Sequence, residues 1–328
     1  MAHEIDMTMA GGSAMFAYEP AWHGLGTVVS EAQTSADALR IAGLDWEVAL
    51  TELVADFGED EPGQRYRAVP GGRATYRRDT GAPLGAVGTR YLPLQNREAF
   101  AWMDEVVGES KAIWHTCGSL RGGRKVWMLA KLPGDLEVGK QDVLNKYVLI
   151  VNPHDGSGSV RLFPTSVRVV CANTLRLAMG VAELGIKLFH TAGSLARRVE
   201  KAKELLGIVD ESHRKMADTA RVMQQKTLSS KTVSDYFGGL VDDRSDRARG
   251  KVLASLWDRF ALPTNADTFG ANLWTAYNAA SEYADHELRV VGTPEQRVER
   301  RFNSALFGSA DAFKQKAWAR ACDLVTVA

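Results

Sequence analysis

Between Ala112 and Val170 the sequence holds two pairs of strand-like runs, and each pair is broken by glycine-containing turn chemistry. AIWHTCGSL at 112–120 and KVWMLAKL at 125–132 flank RGGR at 121–124. YVLIV at 147–151 and SVRLFPTSVRVV at 159–170 flank NPHDGSG at 152–158. Glycine reaches the left-handed backbone angles that a tight turn requires, and Asp-Gly between apolar runs is a strong hairpin signal. Strands joined this closely are antiparallel, because a parallel neighbour needs a crossover of a dozen or more residues. The pattern excludes a doubly wound parallel sheet here and predicts an α+β fold, an antiparallel β-hairpin sheet module with helices.

Upstream, WEVALTELV (Trp46 to Val54) alternates with the period of a half-buried strand. RYRAV, RATYRR and LGAVGTRY follow as further strands, with turns expected at PGG (70–72) and DTGAP (79–83). Thr34 or Ser35 is placed to cap a short helix, Ala36 to Ala42, ended by Gly43, and Asn96 to cap a helix from Arg97 to Val107. CANTLRLAM at 171–179 reads as a helix start and IKLFH at 186–190 as a short strand. Residues 1–20 lack periodicity and read as an arm.

From Ser194 onward no strand pattern remains, so an all-helical C-terminal region is expected. Its first helix carries Leu195, Val199, Ala202, Leu206, Val209, His213, Met216, Ala220 and Met223 at 4-3 spacing. That is a coiled-coil-like seam, available either to a second copy or to the helices that follow. Those helices are expected at Asp246 to Phe260, Thr268 to His286, Pro294 to Phe307 and Ala310 to Val325. At 328 residues the chain exceeds the usual ~100–200 per domain. The division read from these patterns is an arm at 1–33, a sheet module at 34–192 and a helical region at 193–328.

Net charge is zero but unevenly spread. Residues 1–60 hold 11 acids and one base, whereas 61–190 hold 18 bases and 11 acids. Such asymmetry fits either a polyanion-facing middle segment or two segments that neutralise each other. Cys117, Cys171 and Cys322 are odd in number and form no CxxC pair, which suits a reducing compartment. No run approaches 18 apolar residues, so no membrane span is expected, and the N-terminus lacks the pattern of a signal peptide.

Chemistry-bearing motifs are sparse. GxxxxGK[ST], a GxGxxG between strand and helix, GxSxG and HExxH are all absent, and no cofactor is expected. His154-Asp155-Gly156 is the one candidate acid–base or metal cluster, with Cys171 or His115 nearby if the hairpins stack. The competing reading is a β-turn whose Asp bonds its own backbone. A metal would need three or four converging ligands. The richer constellation is basic: Arg77, Arg78, Arg90, Arg121, Arg124, Lys125, Arg161, Arg168 and Arg176. With Tyr66, Tyr76, Tyr91 and Trp127 as neighbours, these residues suit a groove that follows phosphates while bases stack beside it. An ordinary solvated sheet face is the alternative.

PAWHGLGTVV, RYLPLQNREAFAWMD, CGSLRGGRKVWMLAKLP, SVRVVCANTLRLAM and NLWTAYNAASEYADHE, in that order, resemble blocks of a phage- and plasmid-encoded family known only as a domain of unknown function. The resemblance covers nearly the whole chain, implies a mobile-element origin and a host-cytoplasm location, and brings no catalytic residues. A more distant similarity is to the phage single-strand annealing superfamily (the RecT, Redβ and Erf type), which assembles into rings or filaments around DNA. With the basic middle segment, the missing nucleotide-binding loop and the heptad seam, these resemblances lead to the expectation of an ATP-independent protein that binds and anneals single-stranded DNA as a homo-oligomer, with Leu195, Val199, Leu206, Val209, Met216 and Met223 as the assembly seam. The rivals are a metal- or cysteine-dependent enzyme around His154, Asp155 and Cys171, and a phage protein that modulates a host factor.

Overall fold

The computed structural model describes residues 7–8, 11–12, 14–17, 27–29, 34–58, 65–101, 103–104, 112–138, 142–158, 160–168, 173–176, 195–292, 297, 300–301, 304–305 and 308–326. The chain forms two compact units, each discontinuous in sequence. The first takes in 1–131, 149–163 and 183–205, and the second 132–148, 164–182 and 206–328. The fold is α+β, as the hairpin pattern predicts, with antiparallel sheets in the N-terminal part and helices later.

In the first unit the early strands are β1 (Met7–Thr8), β2 (Gly11–Gly12), β3 (Ala14–Ala17) and β4 (Thr27–Val29). Helix α1 (Ser35–Ile41) begins where expected: the Thr34 hydroxyl accepts the Asp37 N–H, and Gly43 follows the helix end with a left-handed φ of 64°. A three-stranded sheet follows, in the order β5 (Val48–Asp56), β6 (Tyr66–Arg77), β7 (Pro83–Gly88). The turn at 79–83 is present, but PGG at 70–72 does not turn the chain. RYRAV and RATYRR are a single strand, β6. Glu52 pairs with Arg73 and Val54 with Ala68, so Val69–Gly72 bulge opposite Leu53 alone. A bulge tolerates the proline that has no N–H to donate, and Gly71 supplies its left-handed φ of 74°.

Helix α2 is Asn96–Ala101. Asn96 does not cap it. Its side chain is buried and donates to Leu44 O at 2.9 Å, so it serves the tertiary fold instead. Strands β8 (Ile113–Leu120) and β9 (Lys125–Lys131) form the expected hairpin, with Arg121 to Arg124 as its turn. Together with β3, β4 and the 149–153 part of β11 (Asp142–Pro153) they build the larger sheet, in the order β11-β9-β8-β3-β4. Asp104 accepts from Ser35 N, Ser35 Oγ and Trp114 Nε1 at 2.7–2.8 Å, which fastens α1 to β8.

The second unit takes β10 (Leu136–Val138), which pairs with the first half of β11, and the second half of β12 (Arg161–Arg168), which pairs with β13 (Asn173–Arg176). The last of these is a correction. CANTLRLAM does not open a helix at 173–176, because Asn173 to Arg176 satisfies its backbone against β12. IKLFH and Cys171 lie outside the described residues.

Helix α3 runs from Leu195 to Gln225. It is followed by α4 (Ser230–Gly238), which periodicity did not separate, α5 (Asp246–Phe260), α6 (Ala266–Phe269), α7 (Leu273–Glu282) with a π-helical turn at Tyr283–Glu287, and α8 (Ser309–Thr326). Of the expected helix from Pro294 to Phe307, only scattered positions are described. Met216, Ala220 and Met223 join Val233, Tyr236, Phe237, Trp274, Tyr277 and Ala317 in one buried cluster, with Val138 and Leu144 from the strands. At these positions the seam of α3 is therefore covered by the same chain. Leu206 and Val209 are buried as well, while the side chains of Leu195 and Val199 lie outside the described residues. No described helix is long and apolar enough to cross a membrane.

Candidate functional site

The first unit has one end where four separate segments meet. Trp46 stands just ahead of β5, Arg77 closes β6, the 121–124 turn joins β8 to β9, and the 154–158 turn leads into β12. The Arg77 guanidinium carbon lies 4.5 Å from the centroid of the Trp46 ring. The same guanidinium makes two bonds to Asp79, at 3.1 and 2.8 Å. Gly123 rests on this pair: a Cβ there would fall 2.9 Å from Trp46 Cζ2 and 3.2 Å from Arg77 Cδ. Beside it, the His154 N–H donates to Arg124 O at 2.8 Å.

His154 holds the end together. Its ring meets Trp46 edge-on at 5.5 Å, its Nε2 donates to Asn96 Oδ1 at 2.7 Å, and its carbonyl accepts the Thr75 hydroxyl at 2.7 Å. Asn152 Nδ2 donates to Leu94 O at 3.1 Å. Asp155 bonds its own turn, accepting the Ser157 N–H at 3.0 Å, and Gly156 has a φ of 79°. These are the marks of an Asx turn. The Tyr91 hydroxyl lies 3.5 Å from Pro153 O, and burial, reinforced by the Asp155 charge, pushes its pKa up to about 12. Among the described residues no group of three or more His, Cys, Asp or Glu side chains is placed to hold a metal ion.

The basic residues divide by what surrounds them. Arg77 is only 9% exposed and is committed to Trp46 and Asp79, so it is a building block of the end and not a surface cation. Arg78 is exposed and pairs with the equally exposed Glu47 at 3.1 Å, a contact of the kind worth ~0–1 kcal/mol that a phosphate can replace. Arg121 and Arg124 are exposed on the turn, and Lys125 is half-buried beside them. Arg161 is exposed at the start of β12, with its guanidinium reaching back over Gly158. Arg90 is exposed next to Tyr91. Among the described residues Arg90, Arg121, Arg124 and Arg161 form no ion pair. Arg168 and Arg176 lie on β12 and β13 in the second unit, Arg176 on a strand and not the expected helix; their side chains are outside the described residues.

Of the aromatic neighbours read from the sequence only Trp127 is buried, and Tyr76 and Tyr91 are half-buried. Trp127 is 2% exposed, whereas Tyr66 is 60% exposed with Arg65 stacked 5.3 Å from its ring. Spacing and composition mark none of Trp46, Asn96 and Thr75 as a site residue; Asn96 reads as a helix cap and Trp46 as the start of a strand. Only the tryptophan opening an alternating strand and the glycine pair inside RGGR hinted that a turn would need a flat surface to rest on.

A family model described as "Domain of unknown function (DUF932)" matches residues 83–307, more than half of the chain. The chain belongs to the DUF932 family. No solved structure matches it. The DUF932 match includes Arg90, the 121–125 turn, His154, Asp155 and Arg161, and it begins after Trp46, Arg77 and Arg78. The basic end is thus assembled from residues inside the DUF932 match and from strands that precede it.

Proposed function

We propose that this DUF932 protein binds single-stranded nucleic acid at the basic end of its first unit, as an ATP-independent annealing protein of phage or plasmid recombination acting in the host cytoplasm. The observation that carries the reading is the pair Arg121 and Arg124, exposed and without described ion pairs on one turn, with exposed Arg161 beside the 154–158 turn that the His154 N–H ties to Arg124 O. Fixed cations neutralise phosphates so that two strands can approach, and the bases stay free to pair. Assembly of several copies belongs to the proposal, and would use a surface other than Met216 and Met223.

Affinity for a labelled single-stranded oligonucleotide is expected to fall steeply between about 50 and 200 mM salt. Three phosphate contacts give a log–log slope of about −2, at ~0.7 per phosphate on a single strand. Arg121→Glu with Arg124→Glu is expected to abolish binding while leaving the circular dichroism spectrum unchanged. An absence of binding by the natural chain at low salt would sink the reading.

A further inference from the structure

We propose that Trp46 and Arg77 are positioning residues for phosphate binding, holding the 121–124 turn so that Arg121 and Arg124 are presented together. The inference rests on the nucleic-acid reading above and names what makes that site work. Three consecutive residues of the turn, Arg121, Gly122 and Gly123, have left-handed φ angles of 55°, 69° and 93°. An arginine in that region is uncommon and persists where the surroundings impose it. The surroundings are on one side the Trp46 indole and the Arg77 stem beneath Gly123, and on the other the His154 N–H bonded to Arg124 O. The turn closes on itself through Arg124 N–H to Arg121 O at 3.4 Å. Both arginines therefore start from a fixed backbone, which lowers the entropy lost when they grip an anion.

Arg77 contributes through its shape. Its guanidinium carbon sits over the Trp46 ring and the group is held there by both oxygens of Asp79, an arrangement lysine does not reproduce. Its charge is already matched by Asp79, so its loss acts on binding only through the turn.

The test is oligonucleotide binding to the full chain, measured across salt for Trp46→Leu, Arg77→Lys and Gly123→Ala, each also placed in an Arg121→Gln/Arg124→Gln background. Arg77→Lys is the mildest of the three and keeps the test usable if Trp46→Leu does not fold. The expected result is a loss of about tenfold or more at 50 mM salt, with a log–log slope shallower by about 0.7 to 1.4, as if one or two phosphates were no longer met. In the double-Gln background the same substitutions are expected to change nothing further, since the groups they position are gone. A general structural role would leave the slope intact or add its loss to that of the arginines. Either of those outcomes, or unchanged affinity in all three variants, overturns the inference while the nucleic-acid reading stands. Failure of the natural chain to bind overturns both.

Discussion

Gly85 and Gly81 separate two demands that a sequence makes look alike. Both sit in the β6–β7 hairpin region, but a Cβ on Gly85 would fall 2.5 Å from Asp155 O, whereas Gly81 faces open space with a φ of 72°. Gly81→Ala is expected to cost about 1 kcal/mol for its backbone angle. Gly85→Ala must push the 154–158 turn away and is expected to cost about 2–4 kcal/mol, compared by urea midpoints. His213 supplies a pH dependence. Burial, against the raising effect of its bonds to the Thr165 and Val209 carbonyls, lowers its pKa, with Lys146 adding to the lowering and Asp210 opposing it. The unfolded chain then binds the proton more readily than the folded one. Its contribution to stability is present above about pH 6.5 and is lost as pH falls below it. Unfolding midpoints at several pH values should show a smaller acid loss for His213→Gln than for the natural chain; equal losses would exclude His213 as a cause.

Helix α3 shows how far a heptad pattern reaches. The 4-3 spacing located the helix and, from Leu206 to Met223, its buried face. It left open what covers that face, because a seam packed on a partner and a seam packed on its own chain have the same periodicity. The answer at Met216 and Met223 lies with α4, α7 and α8, the first of which periodicity passed over although Ser229 caps it and Val233, Tyr236 and Phe237 form its apolar stripe. Met216→Ala and Met223→Ala are each expected to lower stability by about 2–5 kcal/mol without changing the mass of the particle in sedimentation. A change of mass with stability retained would return these residues to an interface between copies. On the sheet side, the edge of β5 is closed by a side chain: Gln95 accepts from Val48 N at 2.8 Å and donates to Val48 O at 3.0 Å, in the manner of a neighbouring strand. Nothing in the local pattern around Gln95 announces that role.

For the whole molecule, the two units interleave along the chain, so the core of the second draws on both halves of the sequence. Val138 and Leu144 come from the strands, and buried Asp142 accepts from Trp274 Nε1 at 2.7 Å. A fragment of residues 193–328 lacks these groups and is expected to melt earlier and less cooperatively than the full chain, as followed by helical circular dichroism. A fragment as stable as the full chain would contradict that account. By itself the sequence determined the α+β class, the hairpins at 112–132 and 147–168, the turn at 154–156 and the long helix, since each follows from local period and turn chemistry. Tertiary structure alone decided that PGG at 70–72 is a bulge, that Asn173 to Arg176 is a strand, that Arg77 is buried against Trp46, and that Arg121, Arg124 and Arg161 share one end. The reason is physical: strand pairing and burial depend on residues far apart in the chain, whereas turns and helix periods depend on neighbours.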